Sequence, residues 1–427
     1  MIRRVVASLA ALAVGIVILG PVGEVLFYGL EGFPVGADAK GVIRILSASG
    51  AVLLLLIGAA VGARVTGPLR GWPLVAMGLL VAGALVAFAP LDVDSAFGEL
   101  HPLIRPVAAL AGGIAIGAAA VAVLPSTPGG GDPWPIAAFS AGIVVGTPVA
   151  LISEFASLRY TIGWADLASV VLAVAAAVVA PRPSTDPRTP GVGTIARIAL
   201  LGVVVSAPFH MEYVRRAAEE SPAGVVVLVL LLTMAVWVVL TGALVRWSGR
   251  TAGADAGRFA LTIAGATAVL FTASGRNMGV AWGGTWVQLL GIVGAVAGVL
   301  LTRRRPDVPW DACGIAGSAL VAVVVGTATI EPSGLVAAGV PLASFALGAA
   351  LARTTAAGAL LGLLTALLTL PVLIGVVTHL QQLLVDDPES SLGLVDRVVL
   401  YAPIWLVGLL TAALLARRPA PTPLTVG

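Results

Sequence analysis

The stretch Ala223–Arg250, AGVVVLVLLLTMAVWVVLTGALVRWSGR, decides the fold. Its first 23 residues carry no charge, and then Arg246 and Arg250 follow. About 20 helical residues cross a hydrocarbon core roughly 30 Å thick. The run therefore reads as a membrane helix that ends at a basic surface. Working outward, apolar runs of about 18–25 residues also begin near Val5, Ile43, Pro73, Pro102, Ile136, Asp166, Ile195, Phe259, Trp282, Ala312, Leu335, Ala357 and Val398. The charges sort by the side of the membrane each connection faces. With the N-terminus in the cytoplasm, 16 of the 24 basic residues fall on the cytoplasmic side, among them Arg3, Arg4, Arg64, Arg197, Arg303, Arg304 and Arg305. The other 8 fall opposite. The positive-inside rule then places both termini in the cytoplasm. The expected fold is an all-α integral membrane protein of about 14 transmembrane helices, one for each apolar run.

Composition narrows the function classes. Hydrophobic residues are 59% of the chain and charged residues 11%, against about a quarter charged in a soluble domain. No connecting loop is long enough to hold a soluble catalytic domain, so the chain is not read as an enzyme. The basic residues are scattered over loops, which fits membrane topology and not nucleic-acid binding. The single cysteine, Cys313, excludes an internal disulfide and a Cys-based metal cluster. His101, His210 and His379 lie in separate segments with no metal-ligand spacing. Gly129-Gly130-Gly131-Asp132 lacks the Gly-Lys-Ser/Thr of a phosphate loop. Neither a nucleotide nor any other cofactor is expected. The expected partners are the lipid bilayer, a small-molecule substrate and protons. Arginine-rich, lysine-poor composition points to a bacterial inner membrane.

Short matches suggest an internal repeat. Gly62-Ala63-Arg64-Val65 recurs as Gly242-Ala243-Leu244-Val245, and Val144-Val145-Gly146-Thr147 recurs as Val324-Val325-Gly326-Thr327. The step along the chain is the same in both, from 62 to 242 and from 144 to 324. The expected division is a six-helix half at 1–180, a Pro-rich linker at 181–193, a second six-helix half at 194–353, and an added helix pair with the tail at 354–427. Six-helix halves related by an axis along the membrane normal belong to one large transporter class.

Loop motifs carry a resemblance. Gly242-Ala243-Leu244-Val245-Arg246-Trp247-Ser248-Gly249-Arg250 keeps two glycines, the Leu and the Arg of the pattern Gly-x-Leu-Ala-Asp-Arg-x-Gly-Arg-Arg, with Arg246 at the Asp position. The earlier copy keeps Gly62 and Arg70, with Thr66 at the Asp position. Gly142-Ile-Val-Val-Gly146-Thr147-Pro148 resembles an antiporter signature, Gly-x-x-x-Gly-Pro-x-x-Gly-Gly, with Thr147 between the Gly and the Pro and with Leu151 and Ile152 at the final glycines. In these loops and in layout the chain resembles the major facilitator superfamily, and in helix count its drug-exporter branch. The resemblance implies gating by the loops holding Gly62, Arg70, Gly242, Gly249 and Arg250. It implies packing through Gly142, Gly146 and Pro148, and a central cavity between helices one, four, seven and ten.

Ionisable groups inside membrane helices are costly and point to function. Glu24 follows Pro21 in the first helix, and Glu212 follows Pro208 in the seventh. Arg105 begins the fourth helix and can balance one of these acids. Thr285 and Gln288 share a face of the tenth helix, and His210 titrates near neutral pH. These six residues are the candidate substrate and proton site. Glu24, Arg105 and Glu212 also lie within about two turns of the outer interface, where snorkelling to water explains them equally. The expected function is secondary active transport, with proton-coupled export of a small amphipathic molecule by alternating access. Two alternatives stand: a scaffold or lipid-flipping subunit of envelope assembly, and a lipid-linked membrane transferase.

Overall fold

A computed structural model describes residues 2–17, 39–66, 71–88, 101–126, 130–155, 164–179, 189–206, 223–275, 285–327, 333–384 and 394–417. The described residues form fourteen helices and no strands. They are α1 (Ile2–Val17), α2 (Ala39–Val65), α3 (Gly71–Phe88), α4 (His101–Val123), α5 (Pro133–Phe155), α6 (Trp164–Val179), α7 (Val192–Ser206), α8 (Ala223–Ala252), α9 (Ala254–Gly275), α10 (Thr285–Arg304), α11 (Trp310–Thr327), α12 (Ser333–Leu351), α13 (Ala356–Leu384) and α14 (Leu394–Arg417). Each begins within a few residues of an expected apolar run. Local chemistry sets the boundaries. Asp132 caps α5 by accepting the Trp134 N–H at 3.2 Å, with Pro133 at the first helical position, where a missing N–H costs nothing. Gly253, at φ 99°, breaks what would otherwise be one continuous helix into α8 and α9.

The helices carry their apolar surface outward as well as inward. Val178, Leu231 and Val239 are 78%, 61% and 70% exposed. By length and composition, Pro106–Val123 and Leu231–Ala252 can cross a membrane, and nine other described apolar stretches are shorter. Only 33% of Leu231–Ala252 is buried within the protein. An apolar surface of this extent is not what a water-facing monomer presents.

Helix pairing follows a repeated plan. In the first six helices α1 packs on α5 and α6, α2 on α4, and α3 on α4 and α6. In the last six α9 packs on α13 and α14, α10 on α12, and α11 on α12 and α14. Each of these pairs in the first set recurs in the second with its numbers raised by eight, and α9 packs on α11 and α12 as well. Close backbone contacts repeat in register. A Cβ on Gly58 or Gly62 of α2 would strike the backbone of Leu110 or Ile114 of α4, and on Gly294 or Gly298 of α10 that of Pro341 or Phe345 of α12. The step from Gly58 to Gly294 equals the step from Gly62 to Gly298. Gly142 and Gly146 of α5 meet the backbone of Leu12 and Ile16 of α1; Gly358 and Gly362 of α13 also face α9, where their neighbours are Ala256 and the ring of Phe259. Small residues at such contacts let backbones approach, which is where packing energy between apolar helices is gained.

This grouping differs from the expected one, in which Gly62 of α2 corresponded to Gly242 of α8. A Cβ on Gly242 would meet nothing within 4 Å, so Gly242 does not repeat the packing of Gly62. Residues 254–417 repeat the plan of residues 2–179, whereas 194–353 does not. Four-residue matches in Ala/Gly/Val-rich helices reflect composition; a packing repeat shows where Cβ atoms are excluded.

The two sets meet along two seams, α5 with α10 and α12, and α2 and α4 with α13. The remaining pair lies over the second seam. α7 packs on α2 and α13, and α8 packs on α9 and α13. Ile195, Ala199 and Val203 of α7 share one apolar cluster with Leu55 and Leu56 of α2 and with Leu361, Leu364 and Leu368 of α13.

Candidate functional site

The sequence-derived cavity candidates gain no geometry. Glu24, His210 and Glu212 lie outside the described residues, as does Arg70. Arg105, Thr285, Gln288 and Pro148 fall within α4, α10, α10 and α5, but their side chains are outside the described set. Gly62, Gly142 and Gly146 are helix-contact positions. Gly242, Gly249 and Arg250 do not form a loop. They lie inside α8, which runs unbroken to Ala252, with Gly242 and Arg250 exposed. Arg246 and Trp247 are ordinary helix formers, so nothing halts the helix before Gly253.

The described polar chemistry gathers at one end of the bundle, where α1, α5, α9, α11 and α13 begin and α2, α10, α12 and α14 finish. Two clusters stand there. In the first, Arg258 of α9 meets Asp311 of α11 in a two-pronged pair, with Nε to Oδ2 at 2.6 Å and Nη2 to Oδ1 at 2.5 Å. The two side chains are 4% and 0% exposed. Arg258 Nη1 also donates to the Leu415 carbonyl of α14 at 2.9 Å. Thr262 donates to the Arg258 carbonyl at 3.0 Å, with its hydroxyl 3.5 Å from Asp311 Oδ2. One guanidinium thus ties together α9, α11 and α14. The planar fork of Arg suits this task, because five fixed donors can serve a carboxylate and a carbonyl at once.

Arg353 lies beside this pair in the short turn between α12 and α13. It is 5% exposed, and its Nη2 donates to the carbonyls of Pro306, at 3.0 Å, and Val308. Its Nε and Nη1 have no hydrogen-bond partner among the described residues. Burial pulls the Arg353 pKa below its ordinary value, and the charge of Asp311 opposes that shift most strongly. Trp310 completes the turn, donating from Nε1 to the Arg305 carbonyl at 3.1 Å and standing edge-on to Phe345.

The second cluster joins the two six-helix sets. Asp132, the cap of α5, binds Arg4 of α1 through Oδ2 and Nε at 2.5 Å. Two residues before it, the Gly130 carbonyl accepts from Nη2 of Arg303, at the last turn of α10. Gly131, between them, has φ 75°, a backbone conformation that side chains resist. Nearby, Arg64 at the end of α2 donates to the Thr189 carbonyl ahead of α7 at 3.2 Å. This arrangement holds no nucleophile paired to a base. Its chemistry is that of guanidinium hydrogen bonds to carbonyls and carboxylates.

Sequence reasoning counted Arg258, Arg303 and Arg353 as cytoplasmic surface charges. The available signal was Asp311, an acid in the first turn of an otherwise apolar helix.

No family model matches the chain, and no curated protein matches it. Its fold is similar to solved transporters. One is the xylose transporter XylE from E. coli in a partially occluded inward-open conformation, with 14% identity, 96% of this chain and 95% of that chain covered, and a TM-score of 0.48. Another is the human organic anion transporter MFSD10, with 14% identity, coverage of 96% and 98%, and a TM-score of 0.46. A bacterial homologue of the human drug peptide transporters PepT1 and PepT2 gives 15% identity, coverage of 97% and 96%, and a TM-score of 0.45.

Proposed function

We propose that this chain is a secondary transporter of the bacterial inner membrane and a divergent member of the major facilitator superfamily. The observation that carries the reading is the repeated helix plan. Two six-helix sets of one packing pattern, α1–α6 and α9–α14, meet along two narrow seams, the construction that rocking about a central site requires. The exposed apolar faces support a bilayer environment. The sorting of arginines supports cytoplasmic termini. In this reading α7–α8 is the added pair, inserted between the halves at 192–252.

The finer function is proton-coupled export of a small amphipathic molecule. Glu24 and Arg105 belong to the first half and remain the leading cavity residues. Thr285 and Gln288 belong to α10 of the second half. Glu212 and His210 fall in the connection of the inserted pair, which ranks them below Glu24. Protonation of Glu24 releases substrate outside, and its return inward resets the carrier.

The test is pH change in sealed inverted vesicles containing the purified protein, with a panel of amphipathic cations added under an imposed proton gradient. Substrate-dependent proton movement, lost in Glu24→Gln, is expected. Proton movement that persists in Glu24→Gln and disappears in Glu212→Gln moves the coupling site to the inserted pair. No response across the panel from folded protein overturns export by proton exchange and favours a scaffold or lipid-flipping subunit.

A further inference from the structure

We infer that the outer face of the inserted pair α7–α8 binds an anionic phospholipid, its headgroup held by Arg197, Arg246 and Arg250. The inference rests on the bilayer reading above and needs neither a substrate nor a direction of transport.

α8 sets the depth of the site. Its outward apolar face runs from Leu228 through Leu232 and Val239 to the exposed Ala243. At 1.5 Å per residue, Leu228 to Arg246 spans about 27 Å, close to the roughly 30 Å of a hydrocarbon core. Arg246 therefore stands where the hydrocarbon ends. Arg250, one turn further and also exposed, stands among the headgroups. α8 finishes at the end of the bundle where α9 begins, and α7 starts at that same end, beside the last turn of α2. The exposed apolar residues Leu200, Leu201 and Val204 of α7 follow Arg197, itself exposed, by one turn or more. Three guanidiniums thus lie at or just beyond one hydrocarbon edge.

Two observations set these arginines apart. At the same end Arg4, Arg64, Arg258, Arg303 and Arg353 are bound to carboxylates or carbonyls. Arg197, Arg246 and Arg250 have no such partner among the described residues. The second observation is a shallow apolar furrow. Among the described residues, α7 and α8 do not pack along each other; each packs on α13. Half-buried Ile198 of α7 and Leu240 and Trp247 of α8 rest on the apolar cluster that both helices share with α13. Leu240 and Trp247 are seven residues apart, two turns along one side of α8.

A lipid satisfies both features at once. Its acyl chain lies along the furrow in the hydrocarbon, and its phosphate accepts from the guanidiniums, a pairing that Arg geometry favours. Trp247 suits the boundary between the two. At the depth of Arg246 the neighbouring molecule is lipid, so an acidic protein would have to displace it. A net negative headgroup is preferred over a zwitterionic one, because each arginine near an anionic surface is worth about fivefold in affinity.

The test equilibrates the purified protein with equimolar phosphatidylglycerol and phosphatidylcholine of one chain length and counts retained lipid by native mass spectrometry. The parent is expected to retain phosphatidylglycerol preferentially. Arg246→Gln is expected to lower that preference about fivefold, and Arg197→Gln with Arg246→Gln and Arg250→Gln to abolish it. A second triple variant, Arg3→Gln with Arg304→Gln and Arg305→Gln, removes three exposed arginines of the same end and is expected to keep it. Equal loss in the second triple variant marks a general charge effect and overturns the site. So does a parent without preference, or an unchanged preference in Arg246→Gln and in the first triple variant. A dimer in the parent that the first triple variant loses gives this face to a second copy and overturns it too. The single variant carries the test if the triple variant does not fold. No substrate enters the readout, so a failed vesicle assay leaves this site standing, and a lost lipid preference leaves the transport reading standing.

Discussion

The first six helices and the last six share one packing plan and differ in where they keep their charges. In the last six, Arg258 and Asp311 are sealed between α9, α11 and α14, with neither side chain more than 4% exposed. In the first six, the described ion pair is Arg4 with Asp132, at 62% and 28% exposure. The buried pair braces one half internally. The exposed pair sits beside the turn through which Arg303 of the opposite half binds. The same fold unit thus carries a buried ion pair in one copy and a largely solvated one in the other.

The largest expected effect tests that difference in charge burial. Asp311→Ala leaves the buried Arg258 without its carboxylate, which costs about 3–5 kcal/mol. Asp132→Ala removes a mostly solvated pair and one helix cap, costing about 1 kcal/mol. Thermal unfolding followed by the fluorescence of the nine tryptophans separates the two. Equal losses would mean that burial does not distinguish the halves.

The next tests the repeat itself. Gly62→Leu and Gly298→Leu insert side chains against the backbones of α4 and α12, and overpacking costs about 1–3 kcal/mol or more. Gly242→Leu, with open space around it, is expected to leave the melting temperature nearly unchanged. If Gly242→Leu were as damaging as Gly62→Leu, the correspondence of α2 with α8 would regain its standing.

A smaller effect sharpens the contrast at the Arg303 contact. Gly131→Ala meets little steric resistance, its Cβ reaching Pro125 at 3.4 Å. The cost is that of a left-handed backbone, about 1–2 kcal/mol. That cost falls on the α4–α5 turn and not on the helices. The expected result is a loss of thermal stability smaller than that of Asp311→Ala, followed by the same fluorescence. An unchanged melting temperature would mean the turn holds its shape without Gly131.

The helices were legible in the sequence because an apolar run states its own length. Ala223–Val245 is uncharged over 23 residues, and α8 covers it. The end of α8 was misread: Arg246 to Arg250 looked like a loop, since charge and a glycine suggested a surface turn. The backbone continues because a terminal basic segment is a good helix. The glycines at 142 and 146 are spaced by four, which fixes a helix side, and a Cβ on either would strike the backbone of α1. Their partner, α1, was not predictable from spacing. The buried charges were the least legible. Arg250 and Arg258 stand close together in one basic stretch, yet Arg258 is 4% exposed and Arg250 faces outward. The one-letter code carries the charge and not its depth.

The sequence alone determined the approximate bounds of the described helices, because hydrophobic length and local capping act over a few turns of chain. It also limited the chemistry, with one cysteine, three histidines and no phosphate loop. Only the tertiary structure decided which helices pair, that the plan recurs after eight helices and not six, and which arginines are buried and which lie at the surface. Those outcomes depend on contacts between residues far apart in the chain, such as Arg258 with Leu415 and Gly130 with Arg303. In a chain so rich in alanine, valine and glycine, many helix faces are equally able to pack, and the choice among them is made by close approach in three dimensions.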